Sequence, residues 1–417
     1  MTHLPSARLL AKLIGALLSE ELLSAEAASA ELTGAGSTEP LQLHLESSSY
    51  LFQARRTGFG SYVVDPESVR RVSRGVLGDD ESEPADDPGR FVVDAASTLG
   101  LTGTTVANYI AELSATLAAD AQLAAKGIPA KELVRLPHAQ MEGQLTGHPL
   151  LVANKGRLGF SASDCAQYAP EAGRPLRPVW FAVSRRLAEF RSVPSMSEQD
   201  LVDRELGPAT QERFKAVLRE AGADPSGSVL LPAHPWQVDH VVRQLWSGSL
   251  LSGQIVVLGE QEDQYLPTQS IRTLVNIDEP SKLQIKLPLK ILNTSVYRGI
   301  PRHCSLAAPM TTHWMRSIWD TDPYLGRHTV LLGEVASVTV RHPHLADYPG
   351  VPYQWDETLG CIWREPVDPS LAEGETVWPL AMVLHEDPTG DTAIEALAEL
   401  SGRELADWLV ALVSVTV

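Results

Sequence analysis

The strongest constraint lies between Lys282 and Arg298. From Leu283 to Ile291 every odd position is apolar (Leu283, Ile285, Leu287, Leu289, Ile291), while the even side carries Gln284, Lys286, Pro288 and Lys290. A period of two predicts a half-buried strand with one face in a core and a cationic face outside it. Thr294 and Ser295 then read as a helix N-cap, which places Arg298 one turn on, over Thr294. Free N–H groups at a helix start, beside fixed positive charges, suit a carboxylate or a polyanion. The plain alternative is a solvated strand face with ordinary lysines.

The background makes these cations stand out. The chain has 417 residues and a formal net charge of −18. That charge disfavours nucleic acid or an anionic membrane as the main partner. The length predicts two or three domains, and 44% hydrophobic residues suffice for real cores. Cys165, Cys304 and Cys361 form no CxxC pair, which argues against a zinc ribbon or disulfide scaffold and favours a reducing, cytoplasmic setting. The apolar run Leu9–Leu23 is broken by Lys12, Glu20 and Glu21, so it reads as an amphipathic helix; no run approaches a membrane span.

Along the chain, 1–30 read as helical, 41–52 and 58–64 as strands, and the acidic 79–89 as a surface loop or disordered tip. Helices are predicted over 105–126 and 130–144, and from Pro235 through Trp246. Strands are predicted over 255–258 and 267–277, and further helices over 311–320, 378–385, 392–402 and 403–417. The expected organisation is an N-terminal α+β unit over 1–144, a ligand-binding unit over 145–377, and the start of a third over 378–417.

Three polar constellations emerge. His148, Lys155 and Arg157 sit in a loop with Gly147, Gly156 and Gly159, glycines that permit a ligand close to the backbone. Ser270 and Arg272 share a face if their segment is a strand, and Thr273 joins them only through a bend. Lys286, Thr294, Ser295 and Arg298 follow, with Arg302 and His303 behind. Each alone has a structural alternative: a His-Pro turn, or a surface strand bearing an arginine. A competing metal-like set (His303, Cys304, His313, His342, His344, Cys361) lacks ligand spacing, and no P-loop, GxGxxG or GxSxG motif occurs.

Taken in order, these motifs resemble a family. Thr146–Ser161 (TGHPLLVANKGRLGFS), Tyr168–Glu171 (YAPE), Leu231–Gln237 (LPAHPWQ), Ser270–Thr273 (SIRT) and Lys286 with Thr294–Arg298 (TSVYR) are similar to the NRPS-independent siderophore synthetases of the IucA/IucC family, in their order. The first two look most like the desferrioxamine-type branch. The resemblance runs from about Ala7 to the end. It implies an α+β, hand-like fold with thumb, fingers and palm regions. It also implies an ATP- and Mg2+-dependent, AMP-forming acid–amine ligase of siderophore biosynthesis. Its substrates would be a small carboxylate, of succinyl-hydroxamate or citrate type, and a polyamine or hydroxylamine; dimers are common among analogues. By similarity, Ser270, Arg272, Thr273, Lys286 and Arg298 would hold ATP. His148, Thr294 and Ser295 would meet the carboxylate, with His148 and Arg298 nearest the chemistry, and Lys155 and Arg157 would be loop contacts. No metal ligand is identified. Family members continue past this point, so the chain is expected to correspond to their first two-thirds; the alternative function is a non-catalytic fragment that keeps only ligand or partner binding.

Overall fold

The structure, a computed structural model, describes residues 5–28, 38–74, 80–148, 151–293, 296–387 and 389–416. It is α+β, with antiparallel strand pairing throughout, as expected. Helix Pro5–Ser19 buries Leu9, Leu10, Leu13 and Ile14, the amphipathic stripe legible in the sequence, against a six-stranded sheet. Three readings of this region need correction. The stretch 1–30 is not helical throughout: the helix ends at Ser19, and Ala25–Ala27 is a strand paired antiparallel with Leu41–Leu43. The stretch 41–52 is not one strand but a hairpin, Glu39–His44 with Ser48–Arg56. The acidic stretch is not wholly a loop: Asp80–Pro84 pairs with Arg70–Arg74, setting Arg71 opposite Glu83 in register. A neighbouring strand rich in arginine gives the carboxylates a partner that local composition does not reveal.

Two further sheets form the middle of the chain. Ile255–Glu260, Val179–Ser184 and Ser228–Ala233 make one. The other runs Tyr265–Pro267, Thr273–Asn276, Gln284–Lys286, Gly360–Arg364, Glu334–Val340, Ala188–Ser192. One apolar core joins them, including Trp180, Phe181, Leu231, Leu274, Ile285, Val338 and Trp363.

The alternating stretch buries all five odd positions at 1% exposure or less. It nevertheless divides. Gln284–Lys286 lies inside the large sheet, whereas Leu289–Asn293 pairs with Val296–Arg298 in a separate hairpin. Pro288, which has no N–H to give a ladder, stands at the division. The helix expected from Thr294 does not form: Arg298 ends a strand, and the helix begins later, as Arg302–Trp319. Thr294 and Ser295 themselves lie outside the described residues.

The region 130–144 is two short helices, Ala130–Leu133 and His138–Glu142, parted at Pro137. Met382, Ala393, Ala396, Leu397 and the partly buried Trp378 pack on Ala130, Leu133, Met141 and Leu145. Helix Ala393–Ser401 starts with a full capping box, Thr392 and Glu395.

One buried acid makes stability pH-dependent. Glu205 accepts a hydrogen bond from the Leu283 backbone N at 3.1 Å, and burial pushes its carboxyl up to about 7. The folded value exceeds the unfolded one, so this contribution is present in full below the ordinary glutamate pKa and is lost as pH rises through about 7. Glu205→Gln keeps an acceptor for Leu283. It is expected to leave stability at pH 5 nearly unchanged and to raise it by up to about 3 kcal/mol at pH 9. Denaturant titrations at both pH values check this.

Candidate functional site

The motif segments meet at the hairpin Leu289–Asn293/Val296–Arg298. The Gly147–Phe160 loop joins it by a two-way backbone bridge: Leu158 N donates to Leu292 O, and Leu292 N to Leu158 O, both at 2.8 Å. The Leu231–Gln237 motif joins it through Gln237, whose Oε1 accepts from Lys290 N at 2.9 Å and whose Nε2 donates to Thr358 O at 2.8 Å. Beneath them Trp236, Val241, Ile271, Leu289 and Ile291 form one apolar cluster. His234 is the N-cap of the helix that follows: its Nδ1 accepts from Trp236 N at 3.2 Å. Complete burial lowers its pKa to about 3, so the ring is neutral at physiological pH and serves the turn.

Ser270–Thr273 is a turn leading into strand Thr273–Asn276, which corrects the strand expected there. The bend needed to bring Thr273 in is located at Ile271, which has φ +63. A buried, β-branched residue in the left-handed region costs about 1–3 kcal/mol and persists only where its surroundings enforce it. Here Ile271 N donates to Thr268 O (2.8 Å), Thr273 N to Ser270 Oγ (3.1 Å), and Thr268 N to Thr273 O (2.9 Å). Next to it, Gln269 N donates to Glu142 Oε2 at 2.8 Å and its Nε2 to Leu145 O at 3.2 Å. Arg157 is the other left-handed non-glycine residue in these motifs, at φ +44.

Arg272 donates to the carbonyl of Gly299, directly after Arg298. Burial lowers the pKa of Arg272, and the charge of Arg298 lowers it further. Burial, then the charge of Arg157, does the same to Arg298. The guanidiniums therefore act on one another in a partly desolvated place. The Nε of Arg298 is buried and has no hydrogen-bond partner. An unpaired charged donor among like charges is costly unless an anion completes the site. Lys286 lies on the adjoining strand, in register with Thr273. Its ammonium and the Arg364 guanidinium share Glu334 Oε1, each at 3.3 Å.

His148 is exposed at the loop's entrance, and its Nδ1 accepts from Leu151 N at 3.2 Å. With Nδ1 an acceptor, the neutral ring carries its proton on Nε2. Gly147, at φ +90, brings the loop to the Ser270 turn: a Cβ there would stand 3.2 Å from Gln269 Oε1 and 2.6 Å from Asn154 Nδ2. Lys155 and Arg157, expected as loop contacts, have other tasks. Lys155 is 2% exposed and donates to Asp120 Oδ1 at 2.5 Å and Thr146 O at 2.8 Å. Arg157 makes a fork to buried Glu171, at 2.7 and 2.9 Å. Both fix the loop to its surroundings. Lys12 adds a third anchor from the first helix, donating to His148 O at 2.8 Å and Leu151 O at 3.1 Å.

Sequence reasoning missed Lys12, Asp120, Glu334 and Arg364; each lies far in sequence from the residue it serves, so no local pattern marks it. Within the metal-like set, His342 contacts Leu245 O at 3.1 Å and Cys361 is buried. Among the described residues no group of three His, Cys, Asp or Glu is arranged to hold a metal ion, and no helix is long and apolar enough to cross a membrane.

Comparison with known proteins identifies the family. The IucA / IucC family model matches residues 137–385, the span that contains the loop, the turn and the hairpin. The rhizobactin siderophore biosynthesis protein RhbF of Rhizobium meliloti is 37% identical over 90% of this chain and 62% of its own length. Aerobactin synthase of Escherichia coli is 32% identical over 98% of this chain and 68% of its own. The chain thus spans about two-thirds of the length of these relatives. The aerobactin synthetase IucC structure from Klebsiella pneumoniae superposes with a TM-score of 0.82, covering 99% of this chain and 70% of that one at 29% identity. Motif order, fold and family match agree: the chain belongs to the IucA/IucC family.

Proposed function

We propose that this chain carries the nucleotide- and carboxylate-binding part of an ATP-dependent ligase of siderophore biosynthesis, which adenylates a small carboxylate and passes it to an amine or hydroxylamine. The observation that carries this reading is the buried, unpartnered Nε of Arg298 beside Arg272 and Arg157. A triphosphate supplies the missing negative charge, and a planar guanidinium meets its oxygens in pairs.

In this reading Arg272, Lys286 and Arg298 hold the phosphates, with Ser270 and Thr273 shaping the turn at their edge. The phosphates take the place of Glu334 on Lys286. The substrate carboxylate approaches from the loop side, toward His148, and Thr294 and Ser295 are assigned to it by their place in the sequence. A carboxylate oxygen attacks the α-phosphorus and pyrophosphate departs. The neutral amine nitrogen then attacks the acyl carbon, AMP leaves with the electron pair of the broken C–O bond, and the nitrogen gives up a proton to solvent. Fixed cations stabilise the charge that develops on the phosphates, and the shared scaffold aligns the two reactants. Magnesium enters with ATP as part of the substrate. The names of the relatives, a rhizobactin biosynthesis protein and an aerobactin synthase, support siderophore assembly as the setting.

Pyrophosphate release from MgATP, with citrate or a succinylated hydroxamate-amine as the carboxylate, tests the reading. Release that depends on one of these carboxylates is the expected result. Its absence in a folded sample, persisting when the C-terminal region of a relative is supplied, overturns the proposal.

A further inference from the structure

Lys12 lies on the first helix, far in sequence from the loop it meets. Its neighbours Leu9, Leu10, Leu13 and Ile14 are buried, and Val152 and Ala153 of the loop pack into the same apolar core. Apolar contact therefore holds the body of the loop on the first helix. Lys12 acts beside that core, on the exposed residues His148 and Leu151. Its ammonium donates to His148 O at 2.8 Å and to Leu151 O at 3.1 Å. The same two residues are joined a second time, by Leu151 N donating to His148 Nδ1 at 3.2 Å. One cation thus ties together both partners of the hydrogen bond that fixes the His148 ring. That bond makes Nδ1 the acceptor and selects the tautomer with its proton on Nε2.

The fold does not gain from this charge. Burial lowers the Lys12 pKa to about 8; the charge of Asp120 opposes the shift, and that of Lys155 adds to it. The Asp120 carboxylate is itself paired with Lys155 at 2.5 Å. A lysine whose folded pKa lies below the unfolded value destabilises the folded chain while it is charged. The penalty is present in full below about 8 and fades as pH rises toward the unfolded value. The loop has other donors as well. Asn154 Nδ2 donates to Thr146 O (3.0 Å) and to His148 O (3.3 Å), and Lys155 donates to Thr146 O (2.8 Å). What Lys12 adds is the tie from His148 to Leu151. A charge kept at the expense of stability, on a bond that orients a ring, points to use in function.

We propose that Lys12 is a positioning residue for the carboxylate substrate: by tying His148 to Leu151 it holds the imidazole in one orientation and one tautomer where the carboxylate arrives. The inference rests on the ligase reading. It adds to that site a residue of the first helix, outside the span 137–385 that the family model matches. Lys12 touches no substrate and acts through His148.

Nuclear magnetic resonance of the full chain with isotope-labelled histidine nitrogens tests it in the wild type, K12M and K12R at about pH 7.5. The His148 signals are identified by their loss in H148Q. Urea midpoints are measured alongside, with calorimetric titrations of MgATP, citrate and the succinylated hydroxamate-amine. In the wild type His148 is expected to give the two well-separated nitrogen shifts of a single neutral tautomer. In K12M the two shifts should move toward each other as the tautomers exchange. The carboxylate that binds the wild type should bind K12M severalfold more weakly, since only part of the population keeps the competent ring. MgATP affinity should be unchanged, and the urea midpoint of K12M should be the higher. K12R keeps a charge that can reach two acceptors and should restore the wild-type shifts. Unchanged His148 shifts or unchanged carboxylate affinity in K12M overturns the inference. A K12M chain less stable than the wild type also overturns it, because Lys12 is then an ordinary structural anchor. So does the absence of carboxylate binding by a wild-type chain that binds MgATP. Binding of neither carboxylate nor MgATP, with His148 shifts that still depend on Lys12, overturns the ligase reading instead and leaves the clamp standing.

Discussion

Arg298→Ala is expected to weaken MgATP binding by about a hundredfold or more while leaving the fold intact. The magnitude follows from the loss of two charge-assisted hydrogen bonds to phosphate, each about 1.5–3 kcal/mol. The fold should survive because the side chain is a burden in the free protein. Its pKa is lowered by burial and by Arg157, and its Nε has no partner. Removing it relieves repulsion and leaves no buried carboxylate unpaired. Nucleotide titration with a thermal melt alongside checks both halves. Unchanged affinity in the variant removes Arg298 from the site.

Glu171→Ala should have the opposite profile: a large loss of stability that precedes any change in chemistry. Glu171 is 1% exposed and accepts both arms of the Arg157 guanidinium. Truncation leaves that cation buried and unpaired, a cost of about 3–5 kcal/mol. Burial alone would raise the pKa of Glu171, but the charge and hydrogen bonds of Arg157 outweigh it and lower the value. A depressed folded value means that the contribution is present above the unfolded glutamate pKa and is lost as pH falls. The wild type should therefore lose stability on acidification more steeply than Glu171→Leu combined with Arg157→Met. That pair removes both charges together and should recover much of the stability lost in the single variant. Urea midpoints of the three proteins across pH 3–7 report the difference.

The contrast between these two arginines marks how far the sequence can be read. Alternation from Leu283 to Ile291 correctly indicates that the odd positions are buried, because a side-chain period of two is set by backbone geometry alone; it does not show that Gln284 and Pro288, on the other side, are buried too. It cannot show that Pro288 divides the strand between two sheets, since both halves bury the same face. Thr294 and Ser295 suggest a helix cap, but the strands Leu289–Asn293 and Val296–Arg298 on either side pair with each other, so Arg298 ends a strand and not a first helical turn. Arg157 and Lys155 look like ligand contacts in a glycine-rich loop. Their true partners, Glu171 and Asp120, come from an adjacent turn and from helix Gly103–Lys126, and only the folded chain brings them together. Likewise the need for a bend at Thr273 is legible, but its location at Ile271 is not: a β-branched residue is the last that local preference would place at positive φ.

The central claim is that three separate stretches of the sequence come together at one anion site. Hydrogen exchange of the intact chain with and without MgATP tests it most directly. The account predicts that backbone amides in 154–160, 268–276 and 284–298 gain protection together, over one range of nucleotide concentration. Protection confined to one of these stretches, or appearing elsewhere while they exchange as before, contradicts it.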